Sequence, residues 1–205
     1  MTPAPTADRR SRPLAPYDAL VLAGGQARRL GGMDKMAIPL GGRGLLDRVL
    51  DAVPDADRVV VVGPSRPLPR PVAWRREDPP GGGPVAAIAA GLPATSAPLV
   101  AVLAGDLPFL TASAIGALRA AVGPDDDGAL LVDADERAQL LAGVWRSAAL
   151  RPALARFPEV AGVSVRRLLE PLRARHLATG PAALAAPPWW DCDTADDVER
   201  AKGWL

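Results

Sequence analysis

A chain of 205 residues, 49% hydrophobic and 23% charged, is long enough to bury its own core, and a formal net charge of +1 gives no general field for nucleic acid or an anionic membrane. The single cysteine, Cys192, excludes an intramolecular disulfide and points to a reducing compartment. No apolar run reaches the ~18 residues of a membrane helix, and the opening MTPAPTADRRSRPLAPYD lacks a signal peptide's apolar stretch. A cytoplasmic protein is expected, with a disordered lead over 1–16 and one domain over 17–205.

In chain order, residues 19–23 read as a buried strand, followed by a glycine-rich loop and by helical spacing of Leu, Leu, Val and Leu across 45–53. Residues 58–62 form a second strand, stopped by Gly63-Pro64. The Pro- and Gly-rich stretch 65–84 holds a short extended piece at 72–75, and an alanine-rich helix covers 85–91. A strand at 99–104 ends in Gly105-Asp106, and Thr111 caps a helix that runs to residue 121. Strands at 129–132 and 139–144 flank a polar turn, helices follow near 147–156 and 164–173, and a strand surrounds His176. The chain closes with a Trp189-Trp190 strand, an acidic turn and a helix over 195–201.

Apolar strands alternating with helices indicate the α/β class, a mostly parallel sheet covered on both faces. Such sheets bind ligands at the carboxyl ends of their strands. Gly24, Gly63, Asp78 and Asp106 fall at predicted strand ends, as does Asp191 if the closing segment is a strand.

The loop LAGGQARRLGGMDK, residues 22–35, is the strongest local signal. It is no Walker A loop, because Met33 and Asp34 separate Gly32 from Lys35. It is no dinucleotide fingerprint either, since G-x-G-x-x-G is not present and no acidic residue ends the second strand. Small residues at Ala23, Gly24 and Gly25 let backbone amides approach a base and phosphates, and Arg28 adds positive charge beside the β- and γ-phosphates. Of 24 basic residues only Lys35 and Lys202 are lysine, and Lys35 closes this loop. A compact charge on a flexible stem can follow an α-phosphate as negative charge develops.

The pattern L-A-G-G-x-x-x-R-x-G-G-x-D-K resembles the signature loop of nucleotidyltransferases that couple a nucleoside triphosphate to a phosphorylated acceptor, and most of all the molybdenum cofactor guanylyltransferases. The resemblance continues through EDPPGGGPVAAIAAGL (77–92), AGDLPFL (104–110) and DCDTADDVERA (191–201). It implies a three-layer, Rossmann-like nucleotidyltransferase fold and transfer of GMP from GTP to molybdenum-molybdopterin with release of pyrophosphate. It implies nucleotide contacts from Leu22, Ala23, Gly24, Gly25, Lys35, Asp78 and Asp106, with Asp106 holding Mg²⁺. The implied partners are GTP and a molybdopterin-type acceptor, for a monomer in transient contact with molybdoenzyme maturation proteins and with no nucleic acid or membrane.

A lone carboxylate closing a buried strand suits Mg²⁺, which takes one or two protein carboxylates plus phosphate oxygens and waters. Asp191 and Asp193 flank Cys192, so in an extended segment both face one way and Asp193 can approach the metal opposite Asp106, with Cys192 turned to the core. The alternative is that Asp193 or Thr194 caps the last helix. Trp145-Arg146 is the candidate acceptor platform, with Trp74, Trp189 and Trp190 as core or platform residues, and His176 is read as structural. Gly63 stands where some relatives carry a polar residue. Two rival functions are a cytidylyltransferase of the same fold and a non-catalytic nucleotide-binding regulator; the paired Gly24-Gly25 favours the purine.

Overall fold

The computed structural model describes residues 13–24, 35–178 and 186–205. Its centre is a seven-stranded sheet of β1 (Tyr17–Leu22), β4 (Val59–Val62), β5 (Ala73–Arg75), β6 (Leu99–Ala104), β7 (Gly128–Val132), β8 (Ala138–Arg146) and β9 (Ala174–Ala178), in the order β5-β4-β1-β6-β8-β7-β9. A two-stranded ribbon, β2 (Pro39–Leu40) with β3 (Arg43–Gly44), lies apart from it. Pairing is parallel throughout the large sheet except for β8, which runs against both β6 and β7. The mostly parallel α/β sheet expected from the sequence is therefore present.

Side-chain alternation builds two cores from the same strands. Tyr17, Ala19 and Val21 of β1, Val59 and Val61 of β4, and Leu99, Ala101 and Leu103 of β6 face one layer. That layer contains α1 (Leu45–Asp51) and α3 (Ala112–Ala121), through Leu46, Val49, Leu50, Ile115 and Leu118. Leu20, Leu22, Val60, Val62, Val100 and Val102 face the other, packed by α2 (Pro84–Gly91), α4 (Ser147–Ala155) and α5 (Val165–Leu169). The alanine-rich α2 lies close on the sheet: a Cβ on Gly91 would meet Leu20 Cδ1 at 2.3 Å. A small third cluster joins Leu40, Leu45 and Cys192 to Val198 and Ala201 of α6 (Ala195–Lys202).

Several elements depart from expectation. Trp189-Trp190 is a turn, closed by the Trp190 amide donating to the Pro187 carbonyl at 3.0 Å. The helix expected over 164–173 is only α5, although Ser164 caps it by accepting from the Arg167 amide. The β2–β3 ribbon was not anticipated; it turns on Gly41 and Gly42, both at positive φ, as a two-residue hairpin turn requires.

Candidate active site

Strand order reverses beside β1: β4 and β5 build outward on one side of it, and β6 starts the other. Open α/β sheets bind ligands at that crevice, outside the carboxyl ends of the strands. Here the chain ends are laced together beyond the strands themselves. The Gly105 amide donates to the Leu22 carbonyl at 2.9 Å, the Ala23 amide to the Val62 carbonyl at 2.8 Å, and the Gly63 amide to the Arg75 carbonyl at 2.9 Å.

Two glycines make this lacing possible. A Cβ on Gly63 would lie 2.6 Å from the carbonyl carbon and oxygen of Ala23, and 2.8 Å from the Gly24 amide nitrogen. Position 63 therefore has no room for the polar side chain expected from some relatives. A Cβ on Gly105 would meet Met36 Sδ at 2.8 Å. Met36, buried in a short 3₁₀ turn (Lys35–Ala37), seats that turn on the end of β6 and so delivers Lys35 to Asp106.

The Lys35 ammonium donates to Asp106 Oδ2 and, at 2.5 Å, to Asp193 Oδ1. Burial alone would lower the Lys35 ammonium, but the charge and hydrogen bond of Asp106, reinforced by Asp193, outweigh it and hold the group above its ordinary value. Lys35 is thus held in its protonated form and is not a base. Asp106 is buried and Asp193 half-exposed. The acidic segment is anchored by the Cys192 amide, which donates to the Asp106 carbonyl at 3.3 Å.

Alternation holds along that segment even though it is not a strand: Asp191 and Asp193 are exposed while Cys192 is fully buried. The Asp191 carboxyl is raised, first by desolvation within its surroundings and then by Asp193 and Asp106, with Lys35 opposing. The Cys192 thiol is pushed up to about 12, chiefly by burial, which leaves it unreactive. Thr194 is the cap of α6, in a reciprocal box with Asp197, so Asp193 is not needed as a cap and reaches Lys35 instead.

Not every singled-out residue gathers here. Leu22, Ala23 and Gly24 lie at the end of β1, while Gly25 and Arg28 fall outside the described residues. Trp145 and Arg146 are corrected: Trp145 is 1% exposed, and Arg146 pairs with Leu99 at the opposite end of the sheet. The Arg146 guanidinium donates to the Asp126 and Gly123 carbonyls, each at 2.8 Å, so it is a structural tie. The antiparallel course of β8 explains this, since its carboxyl end lies where the parallel strands begin. His176 sits exposed on β9, at the sheet edge remote from β1. Trp74 and Trp189 pack against the core of α1 and α3, and Trp190 against the cluster holding Cys192.

Asp78 is solvent-exposed. Its neighbour Glu77, which sequence reading passed over, turns toward the strand ends: its Oε1 would lie 3.3 Å from a Cβ on Gly24 and accepts from the Gly81 amide at 3.2 Å. The available signal was the Glu77-Asp78 pair itself, because two adjacent side chains on extended chain face opposite ways.

The family model of the MobA-like NTP transferase domain matches residues 19–178. A Synechococcus elongatus protein named as a molybdenum cofactor guanylyltransferase is 36% identical over 142 residues, 64% of this chain and 73% of the relative. A Mycobacterium tuberculosis protein of the same name is 36% identical over 141 residues, 64% of this chain and 69% of the relative. Two solved structures share the fold. Molybdopterin-guanine dinucleotide biosynthesis protein A of Archaeoglobus fulgidus has a TM-score of 0.71 at 22% identity, covering 91% of this chain and 97% of its own. The 2-C-methyl-D-erythritol 4-phosphate cytidylyltransferase of Thermus thermophilus has 0.68 at 20%, covering 91% and 96%. With a three-layer sheet, a loop lysine delivered to the crevice and a family match across most of its length, the chain belongs to the MobA-like NTP transferases.

Proposed function

We propose that this nucleotidyltransferase moves GMP from GTP to molybdenum-molybdopterin, or a closely related phosphorylated acceptor. The observation that carries the reading is the Lys35 ammonium held between Asp106 and Asp193 at the strand-order reversal. The relatives named as molybdenum cofactor guanylyltransferases support the choice of base and acceptor.

A phosphate oxygen of the acceptor attacks the α-phosphorus of GTP. The new P–O bond forms as the bond to the bridging oxygen of the β-phosphate breaks, and pyrophosphate leaves with that electron pair. Lys35 keeps its proton and moves from the carboxylates to the α-phosphate oxygens, offsetting charge that grows in the transition state. The small residues Ala23 and Gly24 let the nucleotide approach the end of β1, while the Ala23 amide stays bonded to the Val62 carbonyl, and Gly25 and Arg28 are assigned to the triphosphate. Exposed Asp78 is assigned to the ribose.

The donor set also fits Mg²⁺. Asp106 and Asp193 offer hard oxygens that converge on one nitrogen, so they lie within about 6 Å of each other. Among the described residues no third His, Cys, Asp or Glu completes a cage. Mg²⁺ suits such an incomplete set because it retains waters and phosphate oxygens. Bound there by Asp106 and Asp193, it would neutralise phosphate charge.

A thermal-shift series with GTP, CTP, ATP and UTP, each with Mg²⁺, tests the base. GTP should stabilise the protein selectively; a selective CTP response overturns the guanylyltransferase reading in favour of a cytidylyltransferase.

A further inference from the structure

Glu77 Oε2 is buried and has no hydrogen-bond partner among the described residues. Its other oxygen is engaged by the Gly81 amide, so the loop is folded back on the carboxyl group. Both oxygens overlie Gly24: a Cβ there would sit 3.3 Å from Oε1 and 3.6 Å from Oε2. Gly24 thus leaves room for a carboxyl group to rest on the end of β1, inside the crevice. An unsatisfied buried oxygen costs roughly 1–3 kcal/mol and demands an explanation.

Burial without a partner is not sufficient by itself, since Asp18 Oδ1 shares it. Asp18 is fully enclosed at the opposite end of β1, where no ligand can reach. Glu77 is only partly buried, on the loop between β5 and α2 that borders the crevice.

We infer that Glu77 reads the base, its free oxygen accepting from the imino N1–H and exocyclic N2–H₂ of guanine. The inference rests on the guanylyltransferase reading and deepens it. The chemistry is selective: a carboxylate offers only acceptors. Guanine presents two adjacent donors on that edge. Cytosine and adenine each place a ring-nitrogen lone pair beside their amino group, so either would set lone pair against carboxylate. A site built around donors on the substrate discriminates strongly against analogues that lack them.

The test compares kcat/KM for GTP and ITP, which lacks the 2-amino group, in the wild type and in Glu77→Gln. The glutamine oxygen can still accept from Gly81, so the loop keeps its tie. The wild type should prefer GTP over ITP by at least about tenfold. Glu77→Gln should lose about 10- to 100-fold with GTP, mainly through KM, and narrow the GTP:ITP ratio to within about threefold. A ratio unchanged in folded Glu77→Gln overturns the assignment. So does a ratio that collapses in Asp78→Asn but not in Glu77→Gln, which would move the reader by one residue. A wild type that prefers CTP to GTP overturns the guanylyltransferase reading itself; a GTP preference that survives Glu77→Gln overturns only the role of Glu77.

Discussion

At the amino end of the parallel strands, Asp18 accepts from the Ser96 and Ala97 amides at 2.6 and 2.9 Å, while at the carboxyl end Asp106 meets the ammonium of Lys35. Both aspartates are buried, Asp18 within β1 and Asp106 in the turn just beyond the neighbouring β6. Asp18 is held by main chain, which has no other position to take. Asp106 is held by a long side chain that can let go. A similar division separates the Tyr17–Asp55–Arg119 cluster at the amino end from the Lys35–Asp106–Asp193 group. In the former, Arg119 bonds Asp55 at 2.6 Å, lies over the Tyr17 ring at 4.2 Å and donates to the Ala15 carbonyl. The same interaction types fasten the fold at one end and leave a movable charge at the other.

The largest expected effect breaks that distinction on the functional side. Lys35→Ala and Asp106→Ala should each lose at least about 10²-fold in turnover while retaining the wild-type far-UV circular dichroism; near-normal rates would refute the mechanism. On the structural side, Asp18→Ala should destabilise by about 3 kcal/mol, because it leaves two amides without their acceptor. Denaturant melts would show the loss, with kcat per folded molecule unchanged. Gly63→Ala sharpens the boundary between the two classes. Its Cβ would collide with the Ala23–Gly24 backbone, costing about 2 kcal/mol and raising KM for the nucleotide together.

The smallest effect concerns Asp55, whose carboxyl is held below its usual range first by the Tyr17 hydroxyl and then by Arg119. A folded-state value below the unfolded one gives stability that is present above about pH 4 and lost as pH falls through the lowered value. Asp55→Asn should therefore cost about half a kcal/mol at neutral pH, after discounting for solvent screening, and nothing in strong acid. A difference that grew on acidification would reverse the sign of this account.

How much could be read in advance depended on whether a signal was local. Strand β6 was placed to the residue because an unbroken apolar run ends in Gly105-Asp106, and the Thr111 cap was placed because its partner lies three residues away. Lys35 stood out by its rarity and its position in the loop, and the fold sets it against Asp106 and Asp193, contacts that no local signal announced. The family resemblance is supported by the model matching residues 19–178. The reversal of β8 was not legible: its direction is set by pairing with β6 and β7, and nothing within Ala138–Arg146 announces it. That is why Trp145-Arg146 was assigned to the wrong end of the sheet. The Trp189-Trp190 turn misled for a related reason, since two bulky aromatics suit either a strand or a turn closed by Pro187. Glu77 was hidden by Asp78, and only folding decides which member of an acidic pair faces inward.

The sole cysteine of the chain lies between Asp191 and Asp193, fully enclosed, with its amide tied to the Asp106 carbonyl. Nature has in effect installed a clock in the acidic segment. A thiol reagent can react only during excursions that lift this stretch from the strand ends, so the labelling rate counts those openings against the intrinsic rate of a free thiol. Any substrate that fastens Asp106 and Asp193 together would slow the clock, making occupancy of the crevice readable without following turnover at all.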